Sequence, residues 1–376
     1  MNELAALKRI DFANMFPQAT ARLNGNRETT NYGGDNFDAD PELSLTASIS
    51  WELDLWGNLR WARDHSTAEF LASVENCRAV KMGLVAQVAQ SYFELMALDN
   101  ELAIVRRTLE ARREGVRLAE IRFKGGLTSE IVFQQAKVEL AKTATMVPDL
   151  ERRISLKESE IALLTGDFPY AVNRNILPEE IQLPDALPLG LPSTLLERRP
   201  DIRKAERELM AAHAEVGLAY TNMFPRLALT ATLGTESETL RDFLKSPYSY
   251  LAGNLLSPLF AMGKNRAALK AKRAAYEGAV AEYEQTVLTA FKETHDAIIN
   301  FNKIKDIYES RRQLAEASRT AVELAQLQYI NGVIGYLDLL DAQRNYFDAQ
   351  VSLSNAVCNK QLMIINLYKA LGGGWK

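Results

Sequence analysis

The stretch that decides the fold is LSLTASISWEL, Leu43 to Leu53. Its odd positions carry Leu43, Leu45, Ala47, Ile49, Trp51 and Leu53, and its even positions carry Ser44, Thr46, Ser48, Ser50 and Glu52. A period of two places each set on its own face of a strand. The length fits the roughly 9 to 11 residues that a tilted strand needs to cross a bilayer, and Trp51 stands near one end, where interfacial aromatics sit. The alternative is a strand of a soluble sheet with one wet face.

Three more segments extend this reading. ATARLNG (Ala19 to Gly25) and RLALTATLG (Arg226 to Gly234) alternate as well, whereas YSYLAGNLLS (Tyr248 to Ser257) does so weakly. Four strands cannot close a barrel, and unpaired strand edges cannot be left in hydrocarbon. A membrane barrel therefore requires several chains, and three chains would supply twelve strands.

NMFP precedes a strand segment twice, at Asn14 to Pro17 and at Asn222 to Pro225. At an offset of 206, LEARREGVRLAEIRF (Leu109 to Phe123) falls on AEASRTAVELAQLQY (Ala315 to Tyr329), and Gly126 falls on Gly332. A nearly constant offset over helical sequence marks two copies of one unit. Six of the twelve prolines lie between Pro169 and Pro200, and none lies between Pro41 and Pro148 or after Pro258. Prolines restrict the chain to extended and turn conformations, so the cluster reads as the crossing between copies.

The first copy spans residues 1–168, with strands at about 17–26 and 43–53 and helices at about 57–124 and 129–165. The crossing spans 169–192. The second copy spans 193–376, with strands at about 226–234 and 248–257 and helices at about 193–221, 263–330 and 336–371. Alternate steps of four and three from Leu84 visit Val88, Ser91, Leu95, Leu98, Leu102, Val105, Leu109, Arg112, Val116, Ala119 and Phe123, with Ser91 and Arg112 the polar exceptions. The second copy has the same seam from Ala290 to Tyr329, broken at Thr294, Arg311 and Ser318. Such heptads pack helix against helix, and the glycine turns FKGGLTS and YINGVIG fold each long helix back as an antiparallel hairpin. The predicted fold class is mainly α with a small β part: duplicated long helical hairpins plus four membrane strands per chain.

Composition excludes several functions. A net charge of −4, with Lys and Arg scattered among Asp and Glu, provides no basic surface for nucleic acid. Cys77 and Cys358 lie in helical patterns without metal-ligand spacing and are expected to be buried or inert thiols. His65, His213 and His295 are isolated, and no nucleophile elbow, metal site or cofactor motif occurs, so no catalysis is expected. No run of about 20 apolar residues offers a transmembrane helix. A soluble coiled-coil scaffold would explain the heptads but not the strand alternation.

The chain closely resembles the TolC-like outer-membrane efflux proteins, the outer-membrane factors of tripartite drug and metal pumps. The resemblance covers nearly all of the chain and rests on SWELDLWGNLR (Ser50 to Arg60), LPSTLLERRPDIRKAE (Leu191 to Glu206), YINGVIGYLDLLDAQR (Tyr329 to Arg344) and LYKALGGGW (Leu367 to Trp375). It implies a homotrimer with a twelve-stranded barrel in outer-membrane lipid and a helical α-barrel through the periplasm. The implied function is a passive exit duct, with a periplasmic adaptor (membrane fusion) protein and an inner-membrane pump of the resistance-nodulation-division type as partners.

The resemblance also assigns residues. Gly126, Leu127, Thr128 and Ser129, with Gly332, Val333, Ile334 and Gly335, match the periplasmic tips that meet the adaptor; Gly335 stands where the family often has a hydroxyl. Asp338 and Asp341, with Leu337 beside them, match the aspartates that narrow the periplasmic entrance, six carboxylates in a trimer favouring cations. Acids near a helix N-terminus also suit its dipole. Ile131 and Val132 replace the polar residues that lock the closed tip in some relatives. The family has an export signal and a complete helix before the first NMFP, and against that pattern the sequence reads as N-terminally shortened, without the expected signal.

Overall fold

The computed structural model describes residues 1–30, 38–174, 197–237, 242, 245–257 and 262–373. The elements in order are α1 (Asn2–Ala13), β1 (Gln18–Thr30), β2 (Asp38–Leu53), α2 (Asn58–Lys124), α3 (Glu130–Thr165), α4 (Pro200–Thr221), β3 (Arg226–Ser237), β4 (Pro247–Leu256), α5 (Lys264–Ile330) and α6 (Tyr336–Ala370). The architecture is mainly α with one four-stranded antiparallel sheet, ordered β1-β2-β3-β4. Two compact units are present: Met1–Cys77 with Pro200–Val287, and Arg78–Arg199 with Leu288–Lys376.

In the first unit, the strand-to-helix passage explains SWELDLWGNLR. Asp54 accepts the backbone N–H groups of Leu59 (3.0 Å) and Arg60 (3.1 Å), which have no partner inside α2. Gly57 supplies the left-handed turn at φ +83°. The indole of Trp56 donates to the Pro225 carbonyl at 2.8 Å and stacks on Phe224, while Asn58 donates to Thr221 and Asn222. Trp51 donates to the Met15 carbonyl at 3.1 Å. Both NMFP segments are thus gripped by tryptophans from one loop and the strand before it.

The helices beneath meet through small residues. Ala68 and Ala72 of α2, and Ala211, Ala214 and Ala219 of α4, are buried. His213 sits between the rings of Trp61 and Tyr276, so it serves packing. Gly217 allows the closest approach, since a Cβ there would lie 2.3 Å from the Trp61 ring.

In the second unit, Leu95, Leu98, Leu102 and Val105 of α2 pack with Leu150, Ile154 and Ile161 of α3, and with Val172 beyond it. A second cluster joins Ala297 and Phe301 of α5 to Leu367 and Ala370 of α6. The seam is buried from Ser91 to Leu109 and again at Ala119, partly buried at Arg112, Val116 and Phe123, and exposed at Leu84. Ser91 is level with Glu160, to which it donates, and α3 ends only five residues later at Thr165. Leu84 therefore lies past the partner helix.

Two expectations need correction, the start of β2 and the burial of Cys77. β2 begins at Asp38, earlier than the alternation at Leu43. The segment expected as a helix from Ser193 is helical at 197–198 and, after a break at Arg199, over Pro200–Thr221, with residues 193–196 and most of the crossing outside the described residues; Pro200 disfavours helical backbone at Arg199 and itself suits the first helical position. Cys77 is exposed, not buried, because it falls on the solvent side of α2.

The glycines at two helical positions provide opposite tests. Gly217→Ala must displace Trp61 and is expected to destabilise by about 1–3 kcal/mol. Gly278→Ala, with nothing within 4 Å of the added Cβ, is expected to stabilise by up to about 1 kcal/mol. Urea unfolding followed by the helical signal checks both, and a G217A midpoint equal to the parent's contradicts the packing argument.

Candidate functional site

The sheet has two chemically different faces. Register places Leu45 opposite Leu23, Ile49 opposite Ala19 and Ala231, Trp51 opposite Leu229, and Ala47 opposite Leu233. Leu251 lies opposite Ala231, and Leu255 opposite Leu227. Odd positions of all four strands therefore share one face, on which Leu23, Leu45, Ile49, Trp51, Leu233, Leu251 and Leu255 are exposed and Leu43 is half-buried. The opposite face carries Thr20, Arg22 and Asn24 against Thr46, Ser48 and Ser44, with a 2.8 Å hydrogen bond between Thr20 and Ser48. Alternation is weak in β4 because Tyr248 and Tyr250 occupy this second face; the Tyr248 ring covers Gly234, where a Cβ would lie 2.5 Å away.

The hairpin turns are built alike. Gly126 (φ +70°) closes α2, with Leu127 N–H donating to Arg122 O at 2.9 Å; Gly332 (φ +74°) closes α5, with Val333 N–H donating to Gln328 O at 2.9 Å. This five-residue return with a left-handed glycine satisfies the last helical carbonyls. It leaves Leu127 and Val333 strongly exposed at 77% and 70%. Thr128 keeps its hydroxyl oxygen buried without a partner, while Ser129 and Gly335 are the extended residues before α3 and α6. Arg122 lies 4.5 Å over the Tyr329 ring, and Tyr329 contacts Tyr336, so both turns meet in one aromatic cluster.

Leu337, Asp338 and Asp341 are exposed, while Leu339 and Leu340 pack inward. Asp338 accepts the Gly335 N–H at 3.0 Å, and Asp341 accepts from Asn345 at 3.1 Å. Asp338 thus caps α6 while its face remains open, so the capping role and a constriction role are compatible.

Behind these acids lies a cluster absent from the sequence-based expectations. Glu139 of α3 is 6% exposed and accepts from Arg344 of α6 at 2.5 Å, from the 8% exposed Arg112 of α2, and from Lys142 at 3.3 Å. The Arg344 hydrogen bond, opposed by burial and reinforced by Arg112 and Lys142, holds the Glu139 carboxyl at about 2. Burial pushes the neighbouring Tyr336 phenol up. The signal was available: Ser91 and Arg112 interrupt the apolar seam, a buried polar group needs a partner, and each finds a glutamate on α3.

The outer membrane efflux protein family model matches residues 4–167 and 191–373. The chain belongs to this family. It is 33% identical to the outer membrane protein OprJ of Pseudomonas aeruginosa over 98% of this chain and 78% of that protein. Identity is 32% to the toluene efflux pump outer membrane protein TtgI of Pseudomonas putida, covering 98% of this chain and 80% of that one. The cation efflux system protein CusC of Escherichia coli is 28% identical, covering 100% and 82%. The solved outer-membrane channel OprN superposes with a TM-score of 0.91 at 29% identity, covering 100% of this chain and 85% of that one, and a solved CusC chain with 0.92 at 28%, covering 99% and 87%. This efflux protein is accordingly an outer-membrane channel component of an efflux system, and the soluble scaffold reading is set aside.

No helix among the described residues is long and apolar enough to cross a membrane. Among the described residues no group of three or more His, Cys, Asp or Glu side chains could hold a metal ion.

The Glu139 cluster predicts a pH dependence. Its folded-state carboxyl is depressed from 4.5 to about 2, so its contribution is full above 4.5 and is lost as pH falls toward 2. The stability at stake is about 3 kcal/mol. Glu139→Gln should lower stability at pH 7 and flatten its fall across this window; denaturant titrations at pH 7 and pH 3 measure both, and an E139Q chain as stable as the parent at pH 7 contradicts the pairing.

Proposed function

We propose that three copies of this chain close a twelve-stranded barrel in the outer membrane and form a passive exit duct. The observation that carries this reading is the four-stranded sheet, in which, among the described residues, β1 and β4 each have one strand partner and the odd face is apolar across Ala19–Leu23, Leu43–Leu53, Leu227–Leu233 and Leu251–Leu255. Backbone edges in hydrocarbon need partners, and edge-to-edge closure of three sheets provides them. Leu43, Leu45, Ile49 and Trp51 face lipid, and the polar even face lines water. Ile299, Ile307, Leu314 and Leu324 are exposed along α5, and apolar surface of this kind fits packing against a second copy.

The two halves are copies of one helix-strand-strand-hairpin unit, a division supported by α2 and α5 of 67 residues each, and by α3 and α6 of 36 and 35. The tips at Gly126 to Ser129 and Gly332 to Gly335 receive a periplasmic adaptor, with Leu127 and Val333 as apolar contacts. An inner-membrane pump of the resistance-nodulation-division type supplies the energy. The chain itself performs no catalysis: its isolated histidines, of which His213 serves packing, fit a conduit. Relatives named for toluene and for cations point to small-molecule cargo, selected upstream rather than by the duct.

Leu337, Asp338 and Asp341 form the periplasmic constriction, six carboxylates per trimer. Replacing both aspartates by alanine is expected to lower the cation-to-anion permeability ratio by roughly two-fold or more and to weaken divalent block. Reversal potentials across a salt gradient in planar bilayers check this, and unchanged selectivity removes Asp338 and Asp341 from the constriction.

A further inference from the structure

The segments ERRPD (Glu197 to Asp201) and LYKALGG (Leu367 to Gly373) meet at the end of α6 remote from its aspartates. Arg199, 5% exposed, donates to the Ala370 carbonyl at 3.2 Å and the Ala290 carbonyl at 3.5 Å, and pairs with Glu293 at 2.6 Å. Thr294, also buried, places its one hydroxyl proton between the Ala290 carbonyl at 2.9 Å and the same Ala370 carbonyl at 3.2 Å. Ala370 is the last residue of α6, so its carbonyl is among the four that no helical N–H can reach. Gly372 (φ +76°) then turns against the chain, where a Cβ would lie 3.0 Å from the Arg198 backbone. The planar fork of an arginine serves several acceptors at once, and its charge suits a helix C-terminus; a lysine supplies the charge without the fork.

We propose that Arg199 is a positioning residue for the channel entrance: it fixes the C-terminal end of α6 as the anchor about which the Asp338 and Asp341 end moves. The inference rests on the constriction reading above. The restraints along α6 are uneven. Its C-terminal half buries Ser354, Ala356, Cys358, Gln361, Leu367 and Ala370, whereas its N-terminal half buries Leu339, Leu340 and Ala349 and is tied to α3 through the half-exposed Arg344. Ala370 lies 32 residues beyond Asp338 (370 − 338), a distance of about 48 Å, so a tilt of about 5° at the anchor moves the far end by about 4 Å. Slack too small to disturb the anchor locally is thereby large at the aspartates.

The test uses the full-length chain in detergent with Cys77 replaced by serine and spin labels on two cysteine pairs. Leu337→Cys with Ile131→Cys reports the entrance end, and Lys369→Cys with Leu163→Cys reports the anchor; Cys358 is buried and stays unlabelled. Arg199→Gln is expected to broaden the entrance distance distribution at least two-fold while leaving the anchor pair unchanged, with Arg199→Lys in between. Broadening confined to the anchor pair, equal broadening of both, or no change in either overturns the proposal. Should R199Q fail to fold, Arg199→Lys, which keeps the charge without the fork, is read in the same way, and an unaltered entrance distribution in R199K overturns it. The readout is a distance, so a failed constriction would show as unchanged ion selectivity and remain distinguishable from a failed anchor.

Discussion

Backbone N–H and C=O groups that have no water to bond with must bond to each other, and this constraint governs the molecule. The sheet satisfies it between β1 and β2, β2 and β3, and β3 and β4, but each outer strand retains a second edge. A membrane sheet of this size is incomplete as a single chain. Its tilted strands cross with about ten residues, so the alternation of LSLTASISWEL is long enough to specify one apolar face throughout the span. The tryptophans at the end of that span grip both NMFP segments, so strand placement and helix placement are set by the same few hydrogen bonds.

The same constraint recurs at the helix ends. The left-handed glycines at 126, 166, 332 and 372 return the chain so that terminal carbonyls find partners. A buried guanidinium does this work by side chain at the C-terminal end of α6, where Arg199 donates to the Ala370 carbonyl, and a second, Arg112, pairs with the buried Glu139 carboxylate. A buried charge persists only where it is paired and hydrogen-bonded. Arg112 thereby ties α2 to α3 and reaches α6 through Glu139 and the half-exposed Arg344, whereas Arg199 holds α6 itself, the helix that carries the exposed aspartates.

Much of this was legible in the sequence because local periodicity carries it. β2 shows a strict period of two, α2 and α5 hold their heptads over most of their length, and paired glycines mark the turns. Legibility failed where the outcome depends on a partner element. Leu84 continues the heptad but is exposed because α3 stops short of it, and Cys77 sits in an apolar pattern on the solvent side. The β4 alternation is hidden by Tyr248 and Tyr250 on the second face, where Tyr248 covers Gly234 and Tyr250 lies opposite Thr232. Glu139, Arg344 and Arg199 act across elements more than 25 residues apart, a separation at which sequence spacing carries no geometry. Only the polar interruptions of the seam, Ser91 and Arg112, pointed to such partners.

The central claim is that one chain is a third of a barrel. Light scattering of the purified protein in detergent, with the protein mass separated from bound detergent, tests it most directly. The account predicts a uniform species of three chains, about 126 kDa from the 42.0 kDa chain (3 × 42.0). A monodisperse single chain that keeps the same mass when detergent is removed would contradict it.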